Sequence, residues 1–67
     1  MDAAPQRRER LALLVADRGF ARVVDLAREL RVSEVTVRTD LAALEGEGRV
    51  TRVHGGAMPR GLVAERE

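Results

Sequence analysis

Between Ser33 and Thr39 the chain sets a serine, two threonines and an arginine around Val35, and Arg52 and His54 follow after a short interval. Hydroxyls and guanidiniums of this kind donate to phosphate oxygens and to base edges, and a valine can meet a thymine methyl. The same residues make a poor catalytic set. The single histidine has no cysteine to activate, and no paired-carboxylate, phosphate-loop or metal-spaced motif occurs, so the expectation is a protein that is not an enzyme and needs no cofactor or metal.

Such residues act together only if one element presents them. Ser33 is a strong N-cap for a helix running to about Gly46, with Val37, Leu41 and Leu44 on its buried face. At 100° per residue from Val37, the side chains of Val35, Arg38, Thr39 and Ala42 fall on the opposite side, where a ligand can lie. "GEGR" breaks that helix. "RVTRV" then alternates like a strand, His54-Gly55-Gly56 supplies a tight turn whose two glycines suit positive φ, and "AMP" is a short return strand.

Two further helices precede this unit. From Pro5 to Arg18, Leu11, Leu14 and Val15 recur at helical spacing, Pro5 suits the first turn and Gly19 ends the helix. Leu13 points away from that stripe, as an ordinary exposed leucine or as a contact for a second copy or another partner. After an extended piece at "FARV", Val23, Leu26, Ala27 and Leu30 mark a second helix whose start lacks a good N-cap, because Arg22 stands there. Phe20, the one aromatic, suits a core edge better than a base-stacking platform.

Composition sets the bounds. A chain of 67 residues makes one small domain, and 45% hydrophobic with 34% charged residues suits a compact fold. There is no cysteine, no apolar run of membrane length and no secretory signal in "MDAAPQRRER", so a cytoplasmic protein without a membrane is expected. The net charge is only +1, which does not by itself suggest nucleic acid. Two details do: every cation is arginine, and the run from Gly48 to Arg60 carries Arg49, Arg52 and Arg60 with no acid. A GC-rich genome accounts for the missing lysine equally well.

Two helices joined by a three- to four-residue turn, the second opening with serine and threonine, are the signature of a helix-turn-helix, and the strand pair adds a wing. The expected fold is mainly α with a small β-hairpin, a three-helix winged helix-turn-helix over residues 7–58. Residues 1–6 then form an N-terminal tail, and 59–67 a linker or disordered C-terminal tail.

"VSEVTVRTDLAALEGEGRVTRVHGGA", preceded by Leu26-Ala27, resembles the N-terminal winged helix-turn-helix of the DeoR family of bacterial transcriptional repressors. The family pattern is close to "LA…VS..T[IV]RRDL..LE..G.[IVL].R.HGGA". Val32, Ser33, Thr36, Val37, Arg38, Asp40, Leu41, Leu44, Glu45, Gly48, Val50, Arg52, His54, Gly55, Gly56 and Ala57 match it. One position departs: Thr39 stands where the motif has its second arginine, which removes a cation from the outward face. The resemblance implies sequence-specific binding to double-stranded operator DNA, in a repressor of sugar or carbohydrate metabolism genes. It also implies a homo-oligomer held by a C-terminal domain that binds a phosphorylated sugar or related metabolite, so the chain is expected to be an excised or truncated DNA-binding domain. The rival expectation is a winged helix used only for contact with other proteins.

The expected DNA contacts are Ser33, Val35, Thr36, Arg38, Thr39, Arg52 and His54. Ser33 caps the helix and can also meet a phosphate. Thr36 is expected at a phosphate or base edge, Arg38 at a phosphate or guanine, Val35 at a thymine methyl, and Thr39 at a base or methyl. Against these stand solvated threonines, a solvated or intrachain-paired Arg38 and a tolerated surface valine. Arg52 and His54 on the wing suit phosphate or the minor groove, or else stabilise the hairpin. Glu34 is favoured by the helix dipole, with a cytosine amino group as the alternative partner. Asp40 is expected to pair with an arginine within the chain.

Overall fold

The computed structural model describes residues 4–60. Within them three helices, α1 (Ala4–Arg18), α2 (Val23–Leu30) and α3 (Glu34–Gly46), combine with three short strands, β1 (Ala21–Arg22), β2 (Val50–Val53) and β3 (Gly56–Pro59). The mainly helical winged arrangement agrees with expectation. The sheet is larger than a hairpin. Its order is β1-β3-β2, all antiparallel, because "FARV" contributes β1, with Ala21 opposite Ala57 and Arg22 opposite Gly56.

The core lies where the three helices meet the sheet. Leu11 and Val15 from α1, Val23, Leu26 and Ala27 from α2, and Val37, Leu41 and Leu44 from α3 are buried with Ala21, Val50 and Ala57. Leu14, expected in the buried stripe of α1, is only partly buried and packs against the core, as does Ala12. α1 begins at Ala4, one residue before the helix start expected at Pro5, so residues 4–6 of the expected tail are helical; Pro59, the last residue of the expected strand "AMP" and the first of the expected linker, closes β3. Residues 1–3 of the expected tail and 61–67 of the expected linker lie outside the described residues.

Each helix ends for a local reason. α3 closes with Gly48 at φ 76, its N–H donating to the Glu45 carbonyl and that of Arg49 to the Leu44 carbonyl, a left-handed stop suited to glycine. α2 closes in the same way on Arg31 at φ 61, a conformation a non-glycine adopts only at some cost. The start of α2 is completed from outside the helix. Arg22 offers no side-chain cap, and the Val23 N–H donates instead to the Gly55 carbonyl in the wing turn, at 2.9 Å.

Asp40 ties α1 to α3. Its carboxylate is 1% exposed and takes Arg7 Nε, Arg7 Nη2 at 3.1 Å and Arg8 Nε at 3.3 Å. Burial works to raise its pKa, but the hydrogen bonds and charges of Arg7 and Arg8 outweigh burial and hold it below the ordinary aspartate value. Asp40 therefore stays ionised, as a structural anchor.

Candidate nucleic-acid interface

α3 turns its N-terminal half outward. Val35 is 68% exposed, Arg38 and Thr39 are exposed beside it, and Val37 one step round is fully buried. An apolar side chain so exposed contributes nothing to the core; it is available to a ligand.

The hydroxyls at the helix start are engaged with one another. Ser33 Oγ accepts the Thr36 N–H at 3.1 Å, the capping bond expected of an N-cap serine. It also donates its proton to Thr36 Oγ1 at 3.0 Å. Thr36, half-buried, thus takes the N3 place that glutamate fills in a capping box, closing the pair through its hydroxyl. Thr39 Oγ1 donates to the Val35 carbonyl at 3.0 Å, which leaves its methyl and both oxygen lone pairs for an incoming group.

Arg38 takes the intrachain alternative. Its Nη2 pairs with Glu34 Oε1 at 3.0 Å, one turn back along α3, with both side chains about half exposed. Glu34 thereby has a second structural role beyond the helix dipole. A guanidinium offers five donors, so the pair does not exhaust Arg38, but it cancels the charge the helix presents locally.

The wing stands beside this face. Arg52 and His54 are exposed, and Val53 between them is 36% exposed. Neither Arg52 nor His54 has a side-chain hydrogen bond or ion pair among the described residues; Arg52 is held through its backbone N–H, which donates to Glu45 Oε2 at 3.2 Å. His54 and Gly55 meet Arg38, Glu34, Arg22 and Phe20 around an open cleft of about 410 Å³. The fold thus brings Arg38 and His54 to one cleft and leaves Arg52 on the adjoining strand.

Arg22 is the cleft residue that sequence reasoning passed over. It registered only as a missing cap, and its neighbourhood depends on the pairing of β1 with β3. Gly56 does not take the positive φ expected of it. Of the two turn glycines, only Gly55 has a positive φ, 77°; Gly56 is required because a Cβ there would overlap the Ala21 carbonyl oxygen and stand 2.9 Å from Phe20 Cε1. Among the described residues no three histidine, cysteine, aspartate or glutamate side chains group as metal ligands, and no helix is long and apolar enough to cross a membrane.

A short turn, an outward-facing second helix and a wing at its side are the parts of a helix-turn-helix reader, and the model of the DeoR-like helix-turn-helix domain matches residues 7–59. The chain belongs to the DeoR-like helix-turn-helix family. It is similar to the lactose phosphotransferase system repressor of Streptococcus mutans, 42% identical over 62 residues that cover 92% of this chain and 25% of that protein. Two Escherichia coli proteins are also similar. The putative galactitol utilization operon repressor is 48% identical over 52 residues, covering 78% of this chain and 46% of that protein. The HTH-type transcriptional repressor CsqR is 45% identical over 51 residues, covering 76% of this chain and 20% of that protein. The chain therefore spans between a fifth and a half of the length of these relatives. No solved structure matches. The matched residues take in every strand, α2 and α3 whole, and α1 from Arg7 onward.

Proposed function

We propose that this domain binds double-stranded DNA sequence-specifically as the reading head of a bacterial transcriptional regulator. The observation that carries this is the cleft that brings Arg38 of α3 to the wing turn at His54, with Val35 and Thr39 exposed on the same helix. α3 enters the major groove N-terminus first, where its partial positive charge faces phosphate and the Ser33 hydroxyl turns its proton from Thr36 Oγ1 to a phosphate oxygen. Val35, Thr36, Arg38 and Thr39 lie against base edges and methyls, and Arg52 and His54 run along the backbone or the neighbouring minor groove.

Binding draws Arg38 from Glu34 toward a guanine or a phosphate, exchanging an exposed pair for a charge-assisted contact in the groove. The names of the similar proteins, repressors of lactose and galactitol systems, support repression of genes for sugar use in the cytoplasm. Within a longer regulator, a C-terminal domain that binds a phosphorylated sugar or related metabolite holds two or more copies on half-sites about 34–36 Å apart or multiples of that.

A two-dimensional NMR titration with a DNA duplex at two salt concentrations tests the reading. Shifts concentrated in residues 33–39 and 52–56 that weaken steeply with salt support it. Shifts that are absent, or spread evenly over the surface, transfer the interface to a protein partner.

A further inference from the structure

Six charged residues lie on α1, and four are paired inside the domain. Arg7 and Arg8 hold Asp40, Glu9 pairs with Arg49, and Arg18 pairs with Glu29. The side chains of Arg10 and Asp17 have neither an ion pair nor a hydrogen bond among the described residues. They stand seven residues apart, about 10 Å along the same side of the helix, because two turns of α-helix nearly complete that spacing. Leu13, 61% exposed, and the partly buried Leu14 lie between them, and the four side chains line one open surface hollow of about 440 Å³.

This arrangement is self-complementary. In an antiparallel pair of α1 helices related by a twofold axis between residues 13 and 14, Arg10 of one copy meets Asp17 of the other, Asp17 meets Arg10, and Leu13 meets Leu14. One operation satisfies both unpaired charges and covers the exposed leucine. We propose that this face of α1 is an isologous contact between two copies of the chain, separate from the α3 and wing surface.

The patch is small beside the roughly 1,200–2,000 Å² of a standard protein interface, so the contact is weak between free domains. It becomes significant where two copies are held close together, since tethering supplies effective concentrations of about a millimolar. The contact then selects one relative orientation of two neighbouring domains.

Sedimentation and NMR of the free chain over a concentration series to about 1 mM, at low salt and without DNA, test the contact independently of DNA reading. The expected result is self-association with shifts centred on Arg10, Leu13, Leu14 and Asp17. Arg10→Asp alone and Asp17→Arg alone each turn two attractions into two repulsions and weaken association by about tenfold or more. An equimolar mixture of these two variants regains it, because each chain then supplies the charges the other lacks. Leu13→Ala weakens association without any change of charge, and helical circular dichroism checks that every variant is folded. A chain that stays monomeric to about 1 mM, or a mixture that associates no better than its components, overturns the proposal and leaves the face to a different partner.

Discussion

Gly56 and Ala21 approach so closely that a Cβ at position 56 would overlap the Ala21 carbonyl oxygen. The approach lies where β1 pairs with β3, next to the Val23 N–H to Gly55 carbonyl bond that joins the start of α2 to the wing. Gly56→Ala should cost about 1–3 kcal/mol, because backbone and not a pliable side chain must move. Gly55→Ala, where space is open and only the positive φ resists, should cost about 1 kcal/mol. Urea unfolding of both variants measures the difference; equal losses would show that crowding at Gly56 is relieved without disturbing the sheet.

Asp40 makes the fold sensitive to acid. Its folded pKa is depressed, so its contribution is complete above the unfolded aspartate value of about 3.9 and is lost as the pH falls through the lower folded value. Asp40→Asn should destabilise the domain by about 1–3 kcal/mol at pH 7. The gap between wild type and variant should narrow as the pH falls from about 5 to 3. Urea midpoints for both proteins across that range decide it, and a gap that holds constant would show that Asp40 contributes equally in its protonated form.

Ser33 combines a cap with a proposed phosphate contact, and one substitution separates the two. Aspartate caps as well as serine, but it repels phosphate. Ser33→Asp should keep the thermal midpoint close to wild type and reduce DNA affinity by about 1.5–3 kcal/mol, whereas Ser33→Ala should lose about 1 kcal/mol of stability. Unchanged affinity in Ser33→Asp would confine Ser33 to the cap.

The Glu34–Arg38 pair leaves the outward side of α3 near neutrality. Glu34→Gln should lower helix stability by about 0.3–0.5 kcal/mol, raise affinity for every duplex tested and steepen its salt dependence. A loss of affinity restricted to duplexes with a particular cytosine would instead make Glu34 a base reader. Arg38→Ala should cost about 1–3 kcal/mol and relax specificity at one base pair if it meets guanine.

Arg52 offers the contrasting case. Its guanidinium has no ion pair among the described residues and stands on the wing, not on α3. Arg52→Ala should weaken all sequences alike and flatten the slope of log affinity against log salt by about one unit. Fluorescence anisotropy over a salt series reads that slope directly; an unchanged slope would remove Arg52 from the backbone contact.

The sequence by itself determined the three helices, the break of the third at "GEGR", the cap at Ser33 and the outward course of Val35, Arg38 and Thr39. Each of these follows from interactions within a turn or two: the 3.6-residue period, a hydroxyl three residues from an N–H, or a glycine free to take positive φ. Tertiary structure decided the rest. A two-residue strand such as Ala21–Arg22 has no signature of its own, and it exists because β3 pairs with it. α2 begins without a cap because Gly55, 32 residues further on, supplies the acceptor. Asp40 was legible as one half of an ion pair, but its partners Arg7 and Arg8 became identifiable only when α1 packed on α3. The necessity of Gly56 and the neighbours of Arg22 arose in the same way. Contacts between residues distant in sequence depend on how packed elements close upon one another, and no local periodicity encodes that closure.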